Sequence, residues 1–301
     1  MKYEVVIPAY NCASQLDTII TDIIAVTNRY KPERIIIADD CSTDEATKYK
    51  ARFYSSKQLP VVNYSLTEHK GTFYAEQLGL SKVQTPLAIV CHADVKLRGE
   101  KVPTKIPHAD GTIIKIKLWE DTLSVLINHL NKTEDAVGVS CLAVSPKHKT
   151  HYVSNSRRGI GDNGIPYGIQ RKSKLLAMLK MWIYEWHEVY SFDTQLFAIR
   201  MNYYNEVQYD EQFAPYYLYH DDFFARAREK GYRVYMTQNC ICYHAVNKPK
   251  PDDSLSRLTP ELIDNHHKLF KERWNDSDMW EPTSLKAKQK VQQVLQGGAR
   301  R

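Results

Sequence analysis

This chain of 301 residues lacks the marks of several protein classes. None of its six cysteines forms a C-x-x-C pair, and most sit in or beside apolar runs, so we expect reduced core thiols and no zinc site built on cysteine. No stretch approaches the roughly 18 uncharged apolar residues of a membrane-spanning helix, and no signal-like region precedes the first strand. We therefore expect a soluble, cytoplasmic protein, with a peripheral position at a membrane surface as the alternative.

Linker-like and repeated segments are absent as well. No Gly/Ser-rich or Pro-rich stretch divides the chain and no internal repeat is visible, which indicates one large domain rather than two modules. We expect this domain to cover residues 1–245. A helical extension and a basic tail then occupy residues 246–301.

Positive charge is concentrated in two segments. Residues 283–301 carry five basic and no acidic residues, so the rest of the chain accounts for only about +1 of the net +6. Within that rest, residues 147–180 hold eight Lys and Arg against one acid. The glycine-rich part of this segment, residues 147–172, is called the basic lid below. Such a field attracts phosphates or another polyanion, although a solvated loop explains it equally well.

Short apolar runs alternate with amphipathic stretches, which predicts an α/β fold with a mixed, mostly parallel Rossmann-like sheet flanked by helices. The predicted strands are 3–7, 34–38, 61–65, 86–91, 136–144, 194–199, 233–236 and 240–243. The predicted helices are 14–29, 42 or 43 to 53, 72–81, 121–131, near 174–188, 221–230 and 260–274.

Polar residues follow three of these strands, at the edge where open α/β sheets bind ligands. A turn from Pro8 to Asn11 follows the first strand, and Asp39 and Asp40 close the second. His92-Ala93-Asp94 follows the apolar strand 87–91. Two adjacent carboxylates repel each other, so a purely structural role for Asp39 and Asp40 requires a partner.

These blocks, taken in order, resemble family-2 glycosyltransferases with the GT-A fold. The first half of the match comprises residues 6–11, 36–44, 70–80 and 91–95. The second half comprises residues 197–200, 209–213, 220–234 and 243–244. The resemblance implies that residues 1–95 bind a nucleotide sugar and that 96–245 supply the acceptor and catalytic groups.

A nucleoside diphosphate sugar presents a base to be read and two phosphates to be neutralised. We expect Asp39 to accept a hydrogen bond from the imide N–H of uracil and Tyr10 to lie beside the base, which favours a UDP-sugar donor. The predicted donor-binding residues are Pro8, Ala9, Tyr10, Asn11, Asp39, Asp40, Gly71 and Ala93.

A divalent metal is the cofactor that the resemblance implies. In the family, the last carboxylate of an Asp-x-Asp motif and a later histidine hold the metal, and Asp94 and His244 occupy these two places. His92 replaces the first aspartate. Histidine ligates Mn²⁺ but suits Mg²⁺ poorly, so we expect Mn²⁺ at Asp94, His244 and His92.

The acidic pair Asp221-Asp222 suits removal of a proton from an acceptor hydroxyl. Residue type favours Asp221, which we expect to be the base. Counting back from Arg226 in the family pattern selects His220, which is the alternative. Asp222 is expected to orient the sugar or the start of the helix, and simple helix capping is the alternative for the pair. Displacement with one base implies inversion at the anomeric carbon.

The acceptor is expected to be a saccharide or glycoconjugate. Duplex DNA carrying hydroxymethylated bases is the alternative, because a basic lid and a basic tail suit a polyanion. Weak candidates for acceptor or phosphate contacts are Arg157, Arg158, Trp182 and Trp186. A noncatalytic nucleotide-sugar-binding module is a further alternative, whereas a nucleotidyltransferase is disfavoured because no glycine-rich phosphate loop follows the first strand.

Overall fold

A computed structural model describes most of the first half of the chain and the segments that complete its sheet. The described residues are 2–26, 30–56, 60–97, 105–107, 113–115, 121–144, 152–153, 186–189, 191–192, 194–244 and 259–274. The basic lid, apart from residues 152 and 153, and the tail lie outside them.

Strands and helices alternate through residue 91, as the hydrophobic pattern predicts. The strands are β1 (Tyr3–Ala9), β2 (Ile35–Asp39), β3 (Val61–Ser65), β4 (Leu87–Cys91), β5 (Val95–Lys96), β6 (Lys105–Pro107), β7 (Ile113–Lys115), β8 (Ala136–Val144), β9 (Tyr152–Val153), β10 (Trp186–Val189), β11 (Leu196–Arg200) and β12 (Arg233–His244). The helices are α1 (Ala13–Val26), α2 (Glu45–Ser56), α3 (Thr72–Ser81), α4 (Thr122–Lys132), α5 (Met201–Val207), α6 (Tyr219–Glu229) and α7 (Pro260–Arg273). A short 3₁₀ helix covers Glu211–Phe213.

One mixed sheet organises the described residues, with strand order β10-β12-β8-β11-β4-β1-β2-β3. Strands β3, β2, β1 and β4 run parallel, whereas β11 runs antiparallel between β4 and β8. The order reverses direction at β1, whose neighbours are β2 and β4. In open α/β sheets, ligands bind beyond the carboxyl ends of the strands at such a reversal. The predicted fold class is therefore confirmed, and its geometry places a crevice after β1, β2 and β4.

Apolar layers cover both faces of the sheet. Helices α1, α2 and α4 contribute to one buried cluster, and α3, α5, α6 and α7 contribute to the other. Gly79 lets α3 lie close to β1, because a Cβ at this position would collide with the Val6 side chain. Phe270 and Trp274 bury their rings in the second cluster, so α7 packs against the same core as the sheet.

Two details of the strand and helix prediction are wrong. The helix predicted near 174–188 does not extend to its end, because residues 186–189 form β10, paired antiparallel to β12. The two strands predicted at 233–236 and 240–243 are one strand, β12, with a register shift between Thr237 and Ile241. None of the helices in the described ranges has the length and hydrophobicity that crossing a bilayer requires.

Candidate active site

The turns after β1 and β2 are joined to each other by the side chain of Asn11. Its Oδ1 atom accepts hydrogen bonds from the Thr43 and Asp44 backbone amides at 2.9 and 3.0 Å, and the Asn11 backbone amide donates to Ser42 Oγ at 3.1 Å. Asn11 adopts a positive φ of 47°, a conformation that asparagine tolerates better than most residues. The two loops therefore form one rigid wall of the crevice.

Asp39, at the end of β2, is buried, and one of its carboxylate oxygens is hydrogen-bonded to other described residues. Oδ1 accepts from the Ser42 amide at 3.1 Å and from Ser42 Oγ at 2.5 Å. Oδ2 has no hydrogen-bond partner among the described residues. Nearby, the Tyr10 ring stacks on the His69 ring, with centroids 3.8 Å apart and planes 5° from parallel.

Asp40 points into the protein and holds the loop before α3. Its carboxylate accepts the Lys70 and Gly71 amides, each at 2.7 Å, and contacts His69 Nδ1 at 2.7 Å. Burial raises the pKa of the Asp40 carboxyl, and these hydrogen bonds oppose that rise only in part. Gly71 has a φ of 108°, in the region that favours glycine. Asp40 and Gly71 thus support each other, which supplies the partner that a pair of adjacent carboxylates requires.

Asp94 and His244, predicted from distant parts of the sequence, meet at the carboxyl edge of the sheet. His244 ends β12 and pairs with Val95 of β5, which brings its Nε2 atom to 3.0 Å from Asp94 Oδ2. Burial raises the pKa of Asp94, but the hydrogen bond and charge of His244 outweigh it and lower that pKa. Both side chains keep partial contact with solvent. The pair offers one carboxylate oxygen and one imidazole nitrogen to a ligand.

His92 points toward α3 and is held there by Glu76. Its Nε2 atom lies 3.0 Å from Glu76 Oε1. Glu76 is completely buried, and its other oxygen contacts His220 Nε2 at 2.8 Å and accepts the Tyr209 hydroxyl at 3.4 Å. Burial raises the pKa of Glu76, but the two histidines outweigh it and hold that pKa at about 2. Burial lowers the pKa of His92, and the hydrogen bond to Glu76 reverses this into a net rise.

Three consecutive residues at the start of α6 have different surroundings. His220 is buried, with Nε2 at Glu76 and Nδ1 2.9 Å from Thr194 Oγ1. Asp221 is half-buried and makes no hydrogen bond or ion pair within the described ranges. Asp222 is fully buried and accepts a hydrogen bond from Trp274.

Asp222 faces the opposite side of α6 and serves the packing of α7. It accepts from Arg226 Nε at 2.8 Å, from Arg273 Nη1 at 3.2 Å and from Trp274 Nε1 at 3.0 Å. The Arg273 guanidinium also binds Asp210 at 2.6 Å. Both oxygens of the Asp222 carboxylate are therefore used inside the protein.

Some of the remaining predicted site residues lie outside the described ranges, and others lie in the sheet or beside it. Arg157, Arg158 and Trp182 lie outside the described residues, and only the backbone of Trp186 is described, as the first residue of β10. Pro8 and Ala9 are the last residues of β1, and Ala93 is buried between His92 and Asp94.

A sequence model of glycosyl transferase family 2 matches residues 4–112 of the chain. The match covers the loops after β1, β2 and β4, and it ends before β8, α6 and β12. The predicted resemblance is thereby confirmed for the family and for the fold. A search of curated proteins finds no significant match.

Solved structures of similar fold include glycosyltransferases crystallised with sugar nucleotides or their parts. A mannosyltransferase from Pyrobaculum calidifontis, in complex with GDP-Man and Mn²⁺, is 18% identical with a TM-score of 0.55. GalNAc-T7 with UDP, GalNAc and Mn²⁺ is 15% identical with a TM-score of 0.60, and S. aureus TarS is 14% identical with a TM-score of 0.52. Each alignment covers 82% of this chain but only 57%, 44% and 37% of the respective relatives. The chain therefore spans about half, or less, of the length of these relatives.

Two residues of this family-2 site, Glu76 and Thr194, were not predicted. Glu76 lies on the buried face of α3 with Phe73 and Leu80. A glutamate among apolar residues on one helix face is a signal that the sequence offers for Glu76, because a buried charge requires a partner. Thr194 carries no comparable signal, since a lone threonine before a strand is common.

Proposed function

We propose that this chain is an inverting glycosyltransferase. It transfers a sugar from a nucleoside diphosphate sugar, with UDP favoured, to a hydroxyl of a saccharide or glycoconjugate with the help of a divalent metal. The observation that carries this proposal is the contact between Asp94 and His244 at 3.0 Å, beside loops that match glycosyl transferase family 2. Residues 150 positions apart meet at the edge where a diphosphate would lie.

The residues present fit a metal ion of the Mn²⁺ type. An ionised carboxylate and an imidazole nitrogen form a mixed oxygen and nitrogen donor set, which suits Mn²⁺ better than Mg²⁺. We propose Asp94 and His244 as the protein ligands, and we leave out His92 because Glu76 occupies its Nε2 atom. When bound, the ion neutralises charge on the diphosphate leaving group. Two of the similar structures, 18% and 15% identical, were crystallised with Mn²⁺.

Asp39 and Tyr10 suit recognition of the nucleotide base. Asp39 Oδ2 has no hydrogen-bond partner among the described residues, so it can accept from an imide N–H such as that of uracil. The stack on His69 already holds the Tyr10 ring in place. Little further side-chain entropy is therefore lost when a flat base packs against this ring. Asp40 and Gly71 support this region indirectly by shaping the loop before α3.

The first turn of α6 supplies the proton acceptor in this proposal, and it offers two candidates. Asp221 has an uncommitted carboxylate, whereas His220 is oriented by Glu76 and linked through it to His92 beside the metal pair. The link to the site supports His220 over Asp221. Asp222 is committed to Arg226, Arg273 and Trp274, so we assign it to positioning.

The acceptor is proposed from the family resemblance, with one alternative to be tested. The alternative acceptor is duplex DNA with hydroxymethylated bases. This alternative rests on the positive charge of residues 147–180, which contain eight basic residues and one acidic residue. Binding through phosphates weakens steeply with salt, whereas saccharide binding does not. Salt dependence of acceptor binding therefore distinguishes these two acceptors.

The deciding experiment measures release of nucleoside diphosphate from a panel of nucleotide sugars with Mn²⁺, Mg²⁺ or a chelator. We expect one donor to be turned over, fastest with Mn²⁺. Hydroxymethylated DNA is added in a parallel series, and stimulation by it would select the DNA acceptor. Nucleotide binding without turnover in any mixture would instead indicate a noncatalytic binding module.

Variants of the metal pair sharpen this experiment. We expect Asp94→Asn to lower turnover roughly 10²-fold or more, because the leaving group loses charge stabilisation. Asp135→Asn is the matched control, since this aspartate pairs with Arg233 at the opposite end of β12. Equal turnover by both variants in buffer containing Mn²⁺ would refute the metal site.

A further inference from the structure

Three side chains beside the proposed metal pair form a continuous hydrogen-bonded chain. Thr194 Oγ1 lies 2.9 Å from His220 Nδ1, and His220 Nε2 lies 2.8 Å from Glu76 Oε2. The ionised Glu76 accepts from Nε2, so the neutral imidazole carries its hydrogen there and presents a lone pair at Nδ1. Thr194 then donates its hydroxyl hydrogen to Nδ1. The order hydroxyl, imidazole, carboxylate is the one that polarises a hydroxyl group.

Exposure to solvent increases along this chain toward Thr194. Glu76 is completely buried and His220 is 8% exposed, whereas Thr194 is half-buried. The next residue, Gln195, accepts the His92 amide at 2.8 Å through its backbone oxygen. Thr194 therefore lies against the His92-Ala93-Asp94 segment, on the side of the proposed site.

Aromatic rings enclose the imidazole and keep it away from water. Phe197 and Tyr209 lie edge-on at 5.3 Å from the His220 ring, and Tyr219 lies at 3.9 Å. Among the described residues, the ionised group in contact with His220 is Glu76 from α3, and His92 at the end of β4 contacts the other oxygen of Glu76. In such an environment of low polarity, hydrogen bonds strengthen and hold a single arrangement.

We propose that Thr194, His220 and Glu76 are a proton relay that deprotonates the acceptor hydroxyl, an inference that rests on the proposed function. The acceptor oxygen bonds to the anomeric carbon as the bond to the diphosphate breaks, and that electron pair leaves with the nucleoside diphosphate. The acceptor proton passes to Thr194 Oγ1, and the hydrogen of Thr194 passes to His220 Nδ1. The imidazolium is stabilised by Glu76 and later releases its proton to solvent. Thr194 is the catalytic residue, and Glu76 is a positioning residue.

Substitutions at Thr194 test the relay directly. Thr194→Val keeps the shape and removes the hydroxyl, and we expect kcat to fall roughly 10²-fold while the dissociation constant of the donor changes little. Thr194→Ser restores the hydroxyl and should recover most of kcat. Thr85→Val is the matched control, because Thr85 donates its hydroxyl to the Leu87 carbonyl at 2.8 Å, at the other end of β4. If Thr194→Val and Thr85→Val have the same kcat, the relay is wrong.

The protonation state of His220 provides a readout that does not depend on activity. Nitrogen-15 NMR of labelled full-length protein, with His220→Gln identifying the signals, should show a bare Nδ1 and a protonated Nε2 at neutral pH. Glu76→Gln should shift the ring toward a mixture of tautomers, and circular dichroism checks that this variant folds. A His220 ring protonated at Nδ1 in the neutral protein would overturn the relay.

Different results would contradict the proposed function and the proposed relay. If the wild-type protein turns over no donor, the proposed function fails, yet the NMR experiment still decides whether His220 presents Nδ1 to Thr194. If the wild-type protein is active and Thr194→Val matches the control, the function stands and the relay falls.

Discussion

Single residues at this site are distinguished by what already binds their polar atoms. Asp39 and Asp221 retain carboxylate oxygens with no partner within the described ranges, whereas Asp40 and Asp222 have both oxygens engaged. The sequence shows two acidic pairs of similar appearance. The structure separates each pair into one member available to a ligand and one member that supports the fold.

Asp221→Asn tests whether the exposed member of the α6 pair is the base. We expect this variant to keep turnover within roughly tenfold of wild type, because only a favourable charge near the helix amino terminus is lost. His220→Gln should lose roughly 10²-fold or more, since the relay is broken. Steady-state kinetics on both variants makes the comparison. Inactivity of Asp221→Asn in a folded protein would return the base to Asp221.

Among the helices and strands, α7 shows how the carboxyl-terminal extension supports the site. Its last residues reach α6 through Asp222, which lies two residues after His220. The sequence predicted this helix to within one residue. It gave no sign of the bond from Trp274 to Asp222, because nothing in either segment shows that they meet.

Trp274→Phe tests this connection between α7 and α6. The ring stays buried while its N–H donor is lost from Asp222, so we expect a loss of about 1–3 kcal/mol in the free energy of unfolding. Because α6 carries His220, kcat should also fall. Urea denaturation and steady-state kinetics measure the two effects. Lys268→Ala, on the exposed face of α7, is the control and should change neither the free energy of unfolding nor kcat. If Trp274→Phe has the same free energy of unfolding as this control, the prediction is wrong.

For the whole molecule, the response to acid is set partly by buried histidine. Burial lowers the pKa of His129 on α4 from 6.5 to about 4, against a smaller opposing effect of Asp135. Above pH 6.5 this ring is neutral in both the folded and the unfolded state, so its contribution to the free energy of unfolding has its full value. As the pH falls from 6.5 toward 4, the unfolded state binds the proton first and the fold is destabilised.

His129→Gln tests this pH dependence. Wild type should lose about 1–2 kcal/mol of unfolding free energy through this ring between pH 6.5 and 4, after allowance for its partial exposure to solvent. The variant should lose less over the same interval. Urea denaturation at several pH values gives both curves, and His267→Gln, at an exposed position, serves as the control. Parallel curves for wild type and His129→Gln would refute the assignment.

The sequence by itself determined the order of strands and helices through residue 91 and the loops that follow β1, β2 and β4. Hydrophobic periodicity and turn residues are local properties, so strands such as 61–65 and 136–144 agree residue for residue. The resemblance to family-2 glycosyltransferases likewise selected Asp94 and His244, because each occupies a motif position within its own segment.

Only the tertiary structure decided which side chains from distant segments share hydrogen bonds. Glu76, His220 and Thr194 come from three distant segments, and their meeting depends on the antiparallel insertion of β11 beside β4 and on the close packing of α3 over β1. Strand order and helix position arise from packing of the whole core rather than from any local pattern. The candidate proton relay was therefore invisible until these segments were brought together.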